Sequence, residues 1–163
     1  MYPLSMSSTT PPLTASDRLA LWTATLGPVG RFPVTPGTAG SAVAVLAAPW
    51  VFLPLGPTGR LLVLALVFVL GALAASRAEI LLGRKDPGPV VIDEVLGQWM
   101  ALLPLSAAEP WAMLLAFVLF RVLDMTKPPP IRQSEHWLPG GYGVMLDDAL
   151  AGAAAALVLW AIW

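Results

Sequence analysis

Apolar positions in this chain come in long blocks with few polar interruptions. Between Leu61 and Ala75, "LLVLALVFVLGALAA" holds no charged or polar side chain; at about 1.5 Å per helical residue it covers most of a hydrocarbon core roughly 30 Å thick. It is the clearest expected membrane span. Further apolar blocks run from Gly40 to Leu55, where Pro49 is placed to kink a helix, from Val91 to Leu105, from Trp111 to Leu123, and from Ala149 to Trp163. "LALWTATLG", Leu19 to Gly27, follows a helix start at Ser16 and Asp17 but is too short to cross a bilayer, so it is expected to lie at the interface or to re-enter. The pattern predicts an all-α fold: a polytopic membrane helical bundle of about four to five short transmembrane helices plus a short interfacial or re-entrant N-terminal helix.

These blocks are short for spans, and apolar runs of about a dozen residues also suit the buried helices of a water-soluble bundle. The basic residues separate the two readings. With the Gly27 to Ala39 loop in the cytoplasm, Arg31, Arg77, Arg84, Lys85, Lys127 and Arg132 fall on that side and only Arg60 on the other, the asymmetry of the positive-inside rule with the N-terminus inside. A soluble bundle gives no reason for it. The composition, 57% hydrophobic and 12% charged over 163 residues, is equally far from that of soluble domains and leaves room for one domain, taken as residues 17–163. Residues 1–16, rich in Ser, Thr and Pro, are expected to be a disordered tail; they lack the basic start and apolar stretch of a cleaved signal.

A net charge of -1 with no dense Lys/Arg block argues against nucleic acid as a partner. With no Cys and a single histidine, His136, thiolate metal sites, cysteine nucleophiles and most His-rich zinc sites are excluded, as is a two-histidine phosphatase mechanism.

The acids carry the chemistry. Asp86, Asp93, Glu94, Asp124, Asp147 and Asp148 all fall at cytoplasmic loops or at the helix ends that meet them, and carboxylates at that depth usually pair, line a wet cavity or mark function. Asp147 alone reads equally well as a helix cap. Where only oxygen donors are available, a hard divalent cation is the natural ligand, and Mg²⁺ combines one or two carboxylates with phosphate oxygens and water. Adjacent helical residues point about 100° apart, so within Asp93–Glu94 or Asp147–Asp148 one acid can face a metal while its neighbour orients a ligand.

Three flanking motifs suit an anion. "PGTAGS", Pro36 to Ser41, offers free backbone N–H groups at a helix start with the hydroxyls of Thr38 and Ser41; a plain turn with a capping Ser is the competing reading. In "FRVLDMTKPPPIR", Arg121 and Asp124 share a helical face and Lys127 stands where prolines stop the helix, so Arg121 either pairs with Asp124 or, with Lys127, neutralises a phosphate. "GGYGVMLDDALAG" places a flexible loop before the paired acids, then Ala149, Gly152 and Ala153, small enough for close helix approach.

Together "PGTAGS", "DPGPVVIDEVLGQWMAL", "FRVLDMTKPPPIR" and "GGYGVMLDDALAG" resemble the phosphatidylglycerophosphatase A family from about Gly27 to the C-terminus. The resemblance implies a Mg²⁺-dependent phosphomonoesterase of bacterial phospholipid biosynthesis. It would convert the membrane lipid phosphatidylglycerophosphate to phosphatidylglycerol and phosphate from a multi-pass position in the cytoplasmic (inner) membrane, its site facing the cytoplasm. On that reading Asp86, Asp93, Glu94, Asp147 and Asp148 hold the metal, the last four being catalytic. Thr38, Ser41, Arg121 and Lys127 grip the phosphate. The alternatives are another lipid phosphate phosphatase, a non-catalytic membrane scaffold, or a divalent-cation transporter, which would set its acids nearer the bilayer midplane.

Overall fold

The computed structural model describes residues 12–163; most of the expected tail, residues 1–11, lies outside the described residues. The rest is all-α, as the apolar blocks predict: α1 Ala15–Ala24, a 3-10 turn at Val29–Arg31, α2 Pro36–Val51, α3 Pro57–Leu82, α4 Ile92–Ala101, α5 Pro110–Thr126, α6 Ile131–Ser134 and α7 Gly141–Ile162. Proline opens α2, α3 and α5, where its missing N–H costs nothing and its fixed φ suits a first helical turn. α1 starts with a reciprocal cap between Thr14 and Asp17. Asp17 also accepts a 2.7 Å hydrogen bond from Arg77 Nε, tying α1 to α3. Hydrogen bonds from Thr14, then the Arg77 guanidinium, hold the Asp17 carboxyl below its ordinary range.

At the centre lies α4. The Val91–Leu105 block, expected as a span, is a ten-residue helix, ~15 Å long, buried along nearly its whole length and packed on by α2, α3, α5 and α7. Apart from Asp93 and Glu94 in its first turn and Gln98, its side chains are apolar or small, and a helix with apolar side chains on most of its circumference belongs in an interior, whether the surroundings are protein or lipid. Here they are protein. α3, with 26 residues, and α7, with 22, are long and apolar enough to cross a membrane; α2 and α5 follow with 16 and 17 residues.

Arg60, the one basic residue expected on the far side, is buried in the first turn of α3 against the neighbouring loops. Its guanidinium donates to the carbonyl oxygens of Leu53 (2.6 Å), Leu55 (2.9 Å) and Leu105 (2.5 Å) and lies 5.6 Å above the Phe52 ring. The Phe52 ring stacks on Trp99. Arg60 thus joins the α2–α3 loop to the α4–α5 loop. Arg60→Leu strands these buried carbonyls and is expected to destabilise the detergent-solubilised protein by about 3 kcal/mol, read as a lower thermal midpoint. Arg60→Lys, which cannot reach all three oxygens together, should recover only part of the loss.

Candidate active site

Opposite Arg60, the starts of α2, α4 and α7 and the end of α5 converge on a cleft of about 310 Å³. Glycines allow the approach. A Cβ on Gly152 of α7 would overlap the carbonyl oxygen of Gly97 on α4, and one on Gly97 would strike the Phe120 ring and the Asp148 carbonyl. On α2, a Cβ at Gly37 would overlap the Glu94 carboxylate, so only glycine lets α2 close over that acid. Chain reversals at the rim use the left-handed region without glycine: Asp86 has φ 42°, Lys127 φ 42° and Thr35, just before α2, φ 49°. Strained backbone of this kind persists where the surroundings enforce it and is common at functional sites.

Asp86, Asp93, Glu94, Asp124, Asp147 and Asp148 line the cleft together with Arg121 and Lys127, six carboxylates against two cations. All the acids assigned to metal or catalysis are therefore brought together. Asp124, named in the sequence as a partner for Arg121, joins them.

Glu94 Oε2 accepts from the Ser41 hydroxyl at 2.9 Å and pairs with Arg121, whose Nη1 also reaches Asp124 Oδ2 at 2.9 Å. The pairing of Arg121 with Asp124 that their spacing allows is present, and the same guanidinium also meets Glu94. Asp93 Oδ1 accepts the backbone N–H of Glu94 at 3.1 Å, and Lys127 pairs with Asp147. Asp147 lies well inside α7, which starts at Gly141, so the cap reading gives way to a side chain projecting from a helix interior.

Two phosphate-site expectations come out differently. Ser41 is fully buried and spends its hydroxyl on Glu94 and on the Gly37 carbonyl, so it stands behind the carboxylate and not in the cleft. Thr38 also falls outside the lining; from this motif Pro36 and Gly37 face the cleft. The close approaches at Gly37 and Gly97 were not singled out in the sequence, where a helical glycine gives no sign of which neighbour it admits.

Burial pushes the Asp86 carboxyl up, against the pull of Lys127 and with help from Glu135, Glu79 and Asp124. Burial alone would lower Lys127, but its hydrogen bond to Asp147 and the fields of Asp147, Asp148 and Asp124 outweigh it and raise it. The ammonium stays charged.

The donor set fits a hard cation. Asp147 Oδ1 and Asp148 Oδ2 are buried without a hydrogen-bond partner, and unpaired buried carboxylate oxygens amid like charges call for positive charge. Among the described residues no three acidic side chains close into a tight cage. A cation that keeps several waters and takes part of its shell from phosphate does not require such a cage.

The sequence profile described as Phosphatidylglycerophosphatase A matches residues 22–163. Phosphatidylglycerophosphatase A of Escherichia coli K12 is 36% identical over 135 residues, covering 82% of this chain and 77% of that protein. Phosphatidylglycerophosphatase A of Haemophilus influenzae is 35% identical over 133 residues, covering 82% of each. A Bacteroides thetaiotaomicron protein, named as a proposed phosphatidylinositol-3-phosphatase, is 37% identical over 136 residues, covering 80% of this chain and 84% of its own. No solved structure matches. With an acid-rich cleft built from the same four motifs and a profile match that takes in nearly every described residue, the chain belongs to the phosphatidylglycerophosphatase A family.

Proposed function

We propose that this chain hydrolyses the phosphomonoester of phosphatidylglycerophosphate at the cytoplasmic face of a bacterial inner membrane, with Mg²⁺ as cofactor, and that residues 17–163 form the phosphatase domain. The observation that carries the reading is the presence, in one cleft, of unpartnered carboxylate oxygens on Asp147 and Asp148 and of the cations Arg121 and Lys127. The first two suit a metal and the last two suit the phosphate it would accompany. Bound there, Mg²⁺ would polarise the phosphoryl oxygens and offset the charge that develops on them.

In this proposal Asp86, Asp93, Asp147 and Asp148 hold the metal directly or through water. Arg121 and Lys127 face two sides of the phosphate, and the free N–H groups at the start of α2 point their positive end at it. Glu94, with one oxygen taken by Arg121 and Ser41, keeps the guanidinium aimed into the cleft, and Ser41 fixes Glu94 in turn. Thr38 acts through the α2 terminus it belongs to. In-line attack comes from water or from one aspartate.

Four lipid-facing spans, α2, α3, α5 and α7, would surround the buried α4, with α1 at the interface. Trp50, Trp111, Trp160 and Trp163 are exposed at the Arg60 end and Trp22 and Trp137 at the cleft end, as befits aromatic belts at two membrane boundaries. α4 with its following turns runs from the acids to the carbonyls that bind Arg60, so its C-terminal turns reach the far side within the protein.

Purified protein should release phosphate from phosphatidylglycerophosphate, lose about 100-fold or more of that rate with a chelator, and regain it with Mg²⁺. The Bacteroides relative favours a second head group, so phosphatidylinositol 3-phosphate and phosphatidic acid belong in the panel. Faster turnover of either would reassign the substrate; metal flux without phosphate release would point to transport.

A further inference from the structure

A second cavity lies on the outer surface between α2 and α5. It has a volume of about 480 Å³ and is lined only by apolar and small side chains, among them Ala42, Val45, Leu46, Trp50, Met113 and Phe117. That is the size of a ligand pocket. Both helices rest on α4, and both also serve the acidic cleft: α2 through Gly37 and α5 through Arg121. Along α2, Gly37 stands five residues before Ala42, ~7.5 Å, and along α5 Phe117 stands four before Arg121, ~6 Å. The groove therefore begins about one to one and a half turns from the phosphate-facing residues and runs away from them toward the opposite membrane boundary. Leu46, Trp50 and Leu114 are exposed beside it.

We infer that the α2–α5 groove seats one hydrocarbon chain of the lipid whose phosphate occupies the cleft. This rests on the proposed phosphatase reading and adds to it the part of the substrate the cleft does not touch. A chain lying in the bilayer is already in hydrocarbon, so moving it into an apolar groove adds little affinity. What the groove supplies is register. It fixes the glycerol end of the chain beside Gly37 and Arg121 and so sets the depth at which the phosphate meets the metal-binding acids, where a misplacement of about 1 Å can cost 100-fold in rate.

Ala42→Trp fills the groove at the end nearest the cleft, at a position that does not itself line the cleft. With a dioleoyl lipid phosphate in mixed micelles, kcat should fall about tenfold or more with little change in KM; with a water-soluble dibutanoyl analogue of the same head group the rate should match that of the unaltered protein. Equal losses on both substrates, or none on either, would overturn the assignment. A second measurement needs neither turnover nor the variant: a dioleoyl lipid phosphate carrying a diazirine in mid-chain, photolysed with the unaltered protein, should label residues 42–50 and 113–117. Adducts spread evenly over the exposed faces of α3 and α7 would mean boundary lipid only and would also overturn it. If the unaltered protein releases no phosphate, the phosphatase reading fails by itself, and the labelling pattern still decides the groove.

Discussion

Asp148→Asn and Asp93→Asn are each expected to reduce Mg²⁺-dependent phosphate release about 1,000-fold while leaving the protein folded and inserted. Both side chains are buried in the cleft, and Asp148 Oδ2 has no hydrogen-bond partner. The amide keeps the size and removes the charge. If that charge helps hold the metal, its loss forfeits several kcal/mol of transition-state stabilisation, and about 4 kcal/mol corresponds to three decades in rate. Stability moves the other way. Six carboxylates face two cations in this cleft, so neutralising one acid relieves like-charge repulsion and should hold or raise the thermal midpoint of the metal-free protein. Added Mg²⁺, which should stabilise the unaltered protein by binding its native state, should stabilise either variant less. Full activity in both variants would remove these acids from the site.

Much of this arrangement can be read in the sequence because its signals are local. The charge-free block at Leu61 to Ala75 lies wholly within α3, and the acids flanking the apolar blocks meet in one cleft. Arg121 and Asp124 fall on one helical face, as their spacing requires, and touch. What the sequence hides depends on contacts between distant segments. The Val91–Leu105 block reads as a short span, and its sequence does not say that α2, α3, α5 and α7 surround the helix it forms. Likewise, Ser41 and Thr38 sit in a motif suited to anions, but the 2.9 Å bond from Ser41 to Glu94 joins residues 53 apart in sequence. α7 begins at Gly141, ahead of the apolar block, since a glycine-rich stretch reads as a loop until packing against α3 holds it helical. Arg60 is similar: its partners are backbone carbonyls, which no side-chain pattern reveals.

Gly152→Leu is expected to prevent assembly of the site by preventing assembly of the fold. The small residues after the paired acids predict close helix approach, and in the structure α7 meets α4 with Gly152 against the Gly97 backbone. A Cβ at Gly152 would overlap a carbonyl oxygen, which cannot swing aside as the end of a long side chain can; α4 itself would have to move. α4 cannot move freely. Trp99 bonds the Ala44 carbonyl at 3.0 Å, Val91 N–H bonds Ala24 at 2.8 Å, and Glu94 is held by Ser41 and Arg121. Even Gly152→Ala should cost about 3 kcal/mol, at the upper end of overpacking penalties, which for a chain of this size lowers the thermal midpoint by roughly 6–12 °C. The leucine variant should fail to accumulate in membranes. Gly56→Ser is the control: a Cβ there meets nothing within 4 Å, and serine is at least as good as glycine at the helix start it occupies, so stability and activity should be unchanged. The two classes of variant then separate by signature. Loss at Asp148 holds or raises the melting transition and weakens its response to Mg²⁺, whereas loss at Gly152 lowers the transition itself, and any Gly152→Ala protein that remains folded should still respond to the metal. A Gly152→Leu protein that accumulates, melts normally and releases phosphate at the usual rate would show that the α4–α7 contact does not hold the cleft together.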